Sequence, residues 1–127
     1  MIRFEQLRWT DTAGWNVVGT SASPPSNTSL VLTFGGRSPM AEPRAMAELC
    51  ARFPAAIVAG CSTAGEILDT EVTDEGLVAT ALSFDSTRIA LAAEEHASTR
   101  SSAAIGSHLA RELSASDLVH LVVRGEA

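Results

Sequence analysis

The sequence contains two cysteines, no tyrosine and no lysine, so its nine cationic side chains are all arginines. Two cysteines supply neither the disulfide framework of a small secreted domain nor a four-ligand structural zinc site, and they favour a reducing, cytoplasmic setting. Isolated arginines in a chain of net charge −6 do not form the basic stripe that a nucleic-acid backbone or an anionic membrane surface attracts. We therefore expect neither nucleic acid nor a membrane as a partner.

Long apolar runs are missing as well. No stretch approaches the roughly 18 consecutive apolar residues of a membrane-spanning helix, and charged residues stand where a signal peptide needs an apolar segment. The composition, 46% hydrophobic and 19% charged, is that of a globular chain. Proline and serine cluster at residues 20–29, which predicts an N-terminal arm at 1–19, a linker at 20–29 and an α/β domain at 30–127.

The N-terminal arm alternates apolar and polar residues in two short runs. Residues 4–9 and 15–18 predict a hairpin across a turn that contains Asp11 and Gly14. We expect Trp9 and Trp15 to anchor this arm on the core.

A strand, a helix and a second strand follow the linker. Residues 30–34 form an apolar run before two glycines, and residues 55–59 form a second run that we expect to end at Gly60. Between them, Ser38 is the expected helix cap, and one helix face carries Met46, Leu49, Cys50 and Phe53. This order is a βαβ unit with parallel strands.

The rest of the chain predicts mixed elements. Residues 76–84 and 88–94 read as an antiparallel hairpin, and residues 118–123 as a last strand. Ser98 or Thr99 could cap a second helix with Ile105, Leu109 and Leu113 on one face. The predicted fold is α/β: a single domain with a mixed parallel and antiparallel sheet that contains a βαβ unit and a β-hairpin, flanked by two helices.

The candidate site lies where the two parallel strands end. Their carboxyl ends share one edge of the sheet, which is where open α/β sheets bind small ligands. Arg37 would take an anionic group and Glu66 a cationic one, as an amino acid offers, and Arg124-Gly125 would join them if the last strand is parallel. A tight turn with capping hydroxyls is the alternative interpretation. The predicted ligand-binding residues are Gly60, Cys61, Ser62, Thr63, Ala64, Gly65, Glu66, Gly35, Gly36 and Arg37.

Several titratable residues invite other chemistry. Cys61 could act as a thiolate nucleophile if a histidine lay within hydrogen-bond reach. We expect His120 to be a core histidine of the last strand, His108 to flank the second helix's apolar stripe and His96 to be solvated. No metal site is indicated by the spacing of these histidines. The acidic residues between 69 and 75 read as a solvated loop.

Residues 60–67, GCSTAGEI, resemble the signature of the FIST sensory domain, and the similarity extends to LVLTFGG before them and TDEGLVATALSFDSTRIALA after them. The resemblance implies an input module of bacterial signalling proteins that binds a small ligand such as an amino acid. It implies partners such as histidine kinases or cyclic-dinucleotide enzymes. Some members bind haem and respond to nitric oxide, so haem is possible, with His120 as its candidate ligand, although no cofactor is expected.

The family's domain continues past the strand predicted at residues 118–123, so we expect this chain to be truncated at its C-terminus. That strand would then present an unpaired edge, through which a homodimer could form. Three alternatives to a small-ligand sensor stay open: a haem-based nitric oxide sensor, a cysteine-dependent hydrolase or transferase that uses Cys61, and an interaction module that uses the sheet edge.

Overall fold

The computed structural model describes residues 1–95 and 101–123, which form two compact units, Met1–Ile89 and Ala90–Ala127. The first unit holds all the strands among these residues and two helices, and the second holds one helix. The elements are β1 (Ile2–Thr10), β2 (Gly14–Thr20), β3 (Leu30–Gly35), α1 (Arg37–Met40), α2 (Pro43–Arg52), β4 (Ile57–Ser62), β5 (Glu66–Leu68), β6 (Glu71–Thr73), β7 (Leu77–Phe84) and α3 (Ser102–Glu112).

Five strands form one mixed sheet in the order β2-β1-β7-β3-β4. β3 and β4 pair in parallel with α1 and α2 between them, so the predicted βαβ unit is confirmed. The other pairs of this sheet are antiparallel, and β5 pairs with β6 in a separate small hairpin. The α/β class with a mixed sheet is therefore correct.

The N-terminal segment forms the hairpin that its alternating pattern indicates. β1 pairs with β2, and β1 also pairs with β7, which makes the hairpin part of the main sheet. Trp9 is only 8% exposed, and the Trp15 indole Nε1 donates a hydrogen bond of 2.8 Å to the Ala45 carbonyl in α2. The expectation that both tryptophans anchor this segment is confirmed.

The βαβ unit contains two helices, α1 and α2, where the sequence predicted one. The residue before a proline is disfavoured in the α region, and Glu42, which precedes Pro43, has an extended ψ of 108°. α2 therefore starts anew, with the Glu42 carboxylate accepting a hydrogen bond from Arg44 N at 3.2 Å. Ser38 lies inside α1 instead of capping a longer helix.

The main core lies between α2 and one face of the sheet. Met46 and Phe53 pack against it as the apolar spacing predicted, but Cys50 is exposed. Cys50 lies about 100° around the helix from Leu49, which is the centre of the buried face, so it points away from the sheet. The buried cluster consists of Leu7, Val31, Leu49, Ala79 and Ala81.

The hairpin predicted for residues 76–84 and 88–94 is wrong in its second half. β7 forms, but residues 88–94 form no strand. The reason is that β7 lies between β1 and β3 and pairs with both, so neither of its edges is left for a following strand. The strand predicted for residues 118–123 does not form either, and these residues are exposed.

The second unit contains α3, with the predicted face. Ile105, Leu109 and Leu113 are half-buried, and the described residues beside them are exposed. The Ser101 hydroxyl caps the helix by accepting a hydrogen bond from Ala104 N, whereas the expected caps Ser98 and Thr99 lie outside the described residues. Among the described residues, no helix has the length and apolarity needed to cross a membrane.

Candidate functional site

The ends of three strands meet at one edge of the sheet, which we call the carboxyl edge. Gly35 pairs with Ser62 at the ends of β3 and β4, and Thr63 N continues this pairing with a hydrogen bond of 2.8 Å to the Gly35 carbonyl. Gly36 N donates to the Gly76 carbonyl at 3.0 Å, just before β7 begins. The two loops that the sequence placed together are therefore neighbours.

The first three residues of the GCSTAGEI segment belong to β4, although the sequence favoured a strand that ends at Gly60. Gly60 pairs with Thr33, and a Cβ at Gly60 would overlap the Thr33 side chain and carbonyl. The Thr33 hydroxyl is buried and donates to the Val78 carbonyl at 3.0 Å. This glycine is thus explained by close strand packing, and the turn itself comprises Thr63, Ala64 and Gly65.

Glu66 is the buried carboxylate of the carboxyl edge, with 1% of its surface exposed. Its Oε1 accepts a hydrogen bond of 2.8 Å from the Thr63 hydroxyl, and its Oε2 accepts one of 2.8 Å from Gly76 N. Bonds to a charged acceptor are stronger than neutral ones, and they offset the cost of burying the carboxylate. Glu66 therefore ties the turn after β4 to the start of β7.

The acidic segment after this turn is a hairpin, although its acidic residues between 69 and 75 predicted a solvated loop. β5 and β6 pair antiparallel, with Ile67 opposite Val72. Ile67 is 70% exposed and Val72 is 69% exposed. Asp69 turns the hairpin in the left-handed region with a φ of 54°, a conformation that aspartate tolerates better than most residues. The apolar residues Ile67 and Val72 on either side of this turn are the sequence feature from which the hairpin could have been predicted.

The remaining predicted site residues differ in accessibility. Arg37, Ser62 and Ala64 are exposed, whereas Cys61 is half-buried. Among the residues that the structure describes, the Arg37 guanidinium has no hydrogen bond or ion pair, so its five donors are open to solvent. Arg124 and Gly125, which the prediction added to this edge, lie outside the described residues.

The three histidines differ in how they compare with their predictions, and His108 does flank the apolar face of α3 as expected. His120 is exposed because the strand that would have buried it does not form, so its expected core position is wrong. His108 Nδ1 lies 2.8 Å from Glu94 Oε2, and His96 falls outside the described residues. Within residues 1–95 and 101–123 the Cys61 thiol has no hydrogen-bond partner, and no group of three metal-ligating side chains is found.

The comparisons with known proteins bear on this edge and on the strands that form it. No curated protein and no solved structure matches the chain. The family model described as the FIST N domain matches residues 29–126, which include β3, β4, the GCSTAGEI segment, β7 and α3. FIST domains are sensory domains of signal-transduction proteins. The chain thus belongs to the FIST N domain family.

Proposed function

We propose that this chain is a non-enzymatic, cytoplasmic sensory domain that binds a small amino-acid-like ligand at the carboxyl edge and passes its occupancy to a signalling partner. Histidine kinases and cyclic-dinucleotide enzymes are the partner classes that the family resemblance suggests. The ligand would contact Arg37 and the exposed parts of the segment 60–66, whereas Gly35 and Gly36 are buried and would shape the site from beneath.

The observation that supports this proposal is the meeting of two strand-end turns beside an arginine that has no partner among the described residues. Thr63 N and the Gly35 carbonyl hold the two turns together. Arg37 stands at the first position after Gly36, and its guanidinium can bind a carboxylate through two parallel hydrogen bonds. A ligand carboxylate would therefore find a fixed backbone and a free cation at the same edge.

Signalling requires that the ligand distinguish two conformations. Glu66 offers a physical route, because it bonds to both Thr63 in the turn and Gly76 at the start of β7. A ligand group that competes for the Thr63 hydroxyl would weaken one of these two bonds. Glu66 is also the first residue of β5, so the position of the β5–β6 hairpin would change when a ligand is bound.

Saturation-transfer NMR with each of the twenty L-amino acids, followed by titration calorimetry on those that bind, tests the ligand class. Arg37→Gln should weaken binding by at least tenfold, which is about 1.4 kcal/mol. Ser62→Trp should block the site, and its exposed position should leave folding intact. Arg111→Gln removes another exposed arginine, in α3, and is the matched control.

Undiminished affinity in both Arg37→Gln and Ser62→Trp would refute the assignment of the ligand to this edge. Native mass spectrometry of the purified protein, repeated after denaturation, identifies a ligand retained from cells. A mass excess that survives denaturation would instead point to a covalent adduct and favour the cysteine-dependent enzyme. A Soret band would favour haem, although the exposed position of His120 gives that alternative no structural support.

A second candidate function, an interaction module, has a specific observation in its favour. β4 is the outer strand of the main sheet, and residues 57–62, IVAGCS, carry neither charge nor proline. The other outer strand, β2, pairs with β1 through a register shift between Gln6 and Leu7, a feature that discourages edge pairing. A homodimer would therefore use β4 rather than residues 118–123. A monomer at 100 μM in analytical ultracentrifugation would reject this candidate.

A further inference from the structure

The end of the sheet opposite the carboxyl edge has a groove of its own. α2 ends at Arg52, and beyond it two adjoining depressions of about 320 and 360 Å³ share Ser26 and Asn27 as lining residues. We call them together the Asn27 groove. The first is completed by Pro25, Thr28, Arg52, Phe53, Pro54 and Ala55, and the second by Arg3, Ser83, Phe84 and Asp85. Each volume lies within the range of small-molecule sites, about 300–1,000 Å³.

One serine hydroxyl at this groove has no hydrogen-bond partner among the described residues. Ser83 lines the larger depression, is only 4% exposed, and its Oγ is buried and unpaired. Ser29 Oγ is also buried and unpaired among the described residues, but Ser29, which immediately precedes β3, lines neither depression. A buried hydroxyl without a partner destabilises the fold. The unpaired Ser83 hydroxyl is explained if a bound molecule supplies the missing hydrogen bond.

The charges around the groove indicate what that molecule is. Arg3 Nη1 lies 2.6 Å from Asp85 Oδ1, and Arg52 Nη2 lies 3.2 Å from Glu5 Oε2, so each guanidinium already has a carboxylate. The side-chain charges cancel in pairs. The groove therefore offers both hydrogen-bond donors and hydrogen-bond acceptors. Its hydroxyl and amide groups can do either, and each guanidinium keeps further donors.

We propose that the Asn27 groove binds a small polyhydroxylated molecule of monosaccharide size. Its hydroxyls would pair with Ser83 and with the Asn27 amide, and each ligand hydroxyl can donate to one neighbour while accepting from another. An uncharged ligand suits the paired charges, because it adds no unbalanced charge to the groove. This site does not depend on the proposed function, since it shares no residue with the carboxyl edge.

The Ser83→Ala variant distinguishes a ligand-binding role of the Ser83 hydroxyl from a purely structural one. In the free protein the variant should be at least as stable as the parent, because it removes an unpaired buried hydroxyl. In saturation-transfer NMR and calorimetry with D-glucose, D-galactose, myo-inositol and D-gluconate, the parent should bind at least one probe. Ser83→Ala and Asn27→Ala should each weaken that binding at least tenfold. Ser62→Ala, at the carboxyl edge, should leave it unchanged.

Gluconate is included because the amino-terminal ammonium also lies 3.2 Å from Asp85, and preferential gluconate binding would overturn the assignment of an uncharged ligand. The proposal is overturned if none of the four probes binds at 10 mM, or if Ser83→Ala binds as well as the parent. It is also overturned if Ser83→Ala is markedly less stable than the parent without ligand, because the hydroxyl would then already be satisfied by an internal water.

Discussion

The buried carboxylate of Glu66 gives the sharpest test of how the carboxyl edge is held. Glu66→Ala removes both of its hydrogen bonds and leaves Gly76 N without an acceptor. Glu66→Gln keeps the shape and can keep both bonds. Its amide oxygen would accept from Gly76 N, and its amide nitrogen would donate to the Thr63 hydroxyl, which can rotate and become the acceptor.

The two substitutions should therefore differ in cost. Each hydrogen bond to a charged group contributes about 1.5–3 kcal/mol, and relief of the buried charge offsets part of that loss. We expect Glu66→Ala to lower the free energy of unfolding by about 3 kcal/mol and Glu66→Gln by about 1 kcal/mol. Thr63→Val, which removes only the hydroxyl, should cost about 1–2 kcal/mol in the parent. It should cost less in the Glu66→Ala background, because the bond is already absent there.

Urea unfolding followed by tryptophan fluorescence measures these changes, since Trp9 and Trp15 both lie in the main sheet. With a denaturant slope of about 1.5 kcal/mol/M, a loss of 3 kcal/mol moves the midpoint by about 2 M. Equal midpoints for Glu66→Ala and Glu66→Gln would refute the reasoning, because the carboxylate would then not be holding the turn to β7. Additive costs for Thr63→Val and Glu66→Ala would contradict a direct bond between the two side chains.

Two further predictions concern a pair of glycines and an exposed ion pair. Gly60→Ala should destabilise by about 1–3 kcal/mol because its methyl group overlaps Thr33, whereas Gly65→Ala should be tolerated, since the nearest atoms lie 3.6 Å from its Cβ position. Thermal unfolding of the two variants checks this, and equal melting temperatures would contradict it. The hydrogen bond from Arg3 lowers the pKa of the Asp85 carboxyl, so this contact stabilises the fold above the unfolded-state pKa, and the stabilisation is lost as the pH falls through the lower folded-state value. Carboxyl ¹³C NMR should show that pKa rising in Arg3→Gln, and an unchanged value would contradict the contact.

The local sequence pattern predicted correctly the elements whose formation depends on residues close together in the chain. The apolar run before Gly35 and Gly36 became β3, and the alternation around Trp9 and Trp15 became a hairpin. The βαβ order fixed the parallel pair as well, because a strand, a helix and a strand return the chain in the same direction. These signals are short-range, so the sequence carries them without help from the rest of the fold.

The local sequence pattern gave wrong predictions where a strand needs the free edge of another strand to pair with. Residues 88–94 and 118–123 have the composition of strands but form none. A hairpin partner for β7 needs a free edge on β7 itself. The position of β7 between β1 and β3 removed the edge that residues 88–94 needed. No alternation within these segments could have revealed that.

For the candidate site, the sequence by itself determined the small residues of GCSTAGEI, the glycines at the end of β3 and their shared position at the carboxyl edge. Only the tertiary structure decided what these residues do there. Gly60 makes room for Thr33, and Glu66 bonds inward to Thr63 and Gly76. The physical reason is that a sequence specifies which donors, acceptors and volumes a chain carries, whereas their partners come from strands that are distant along it.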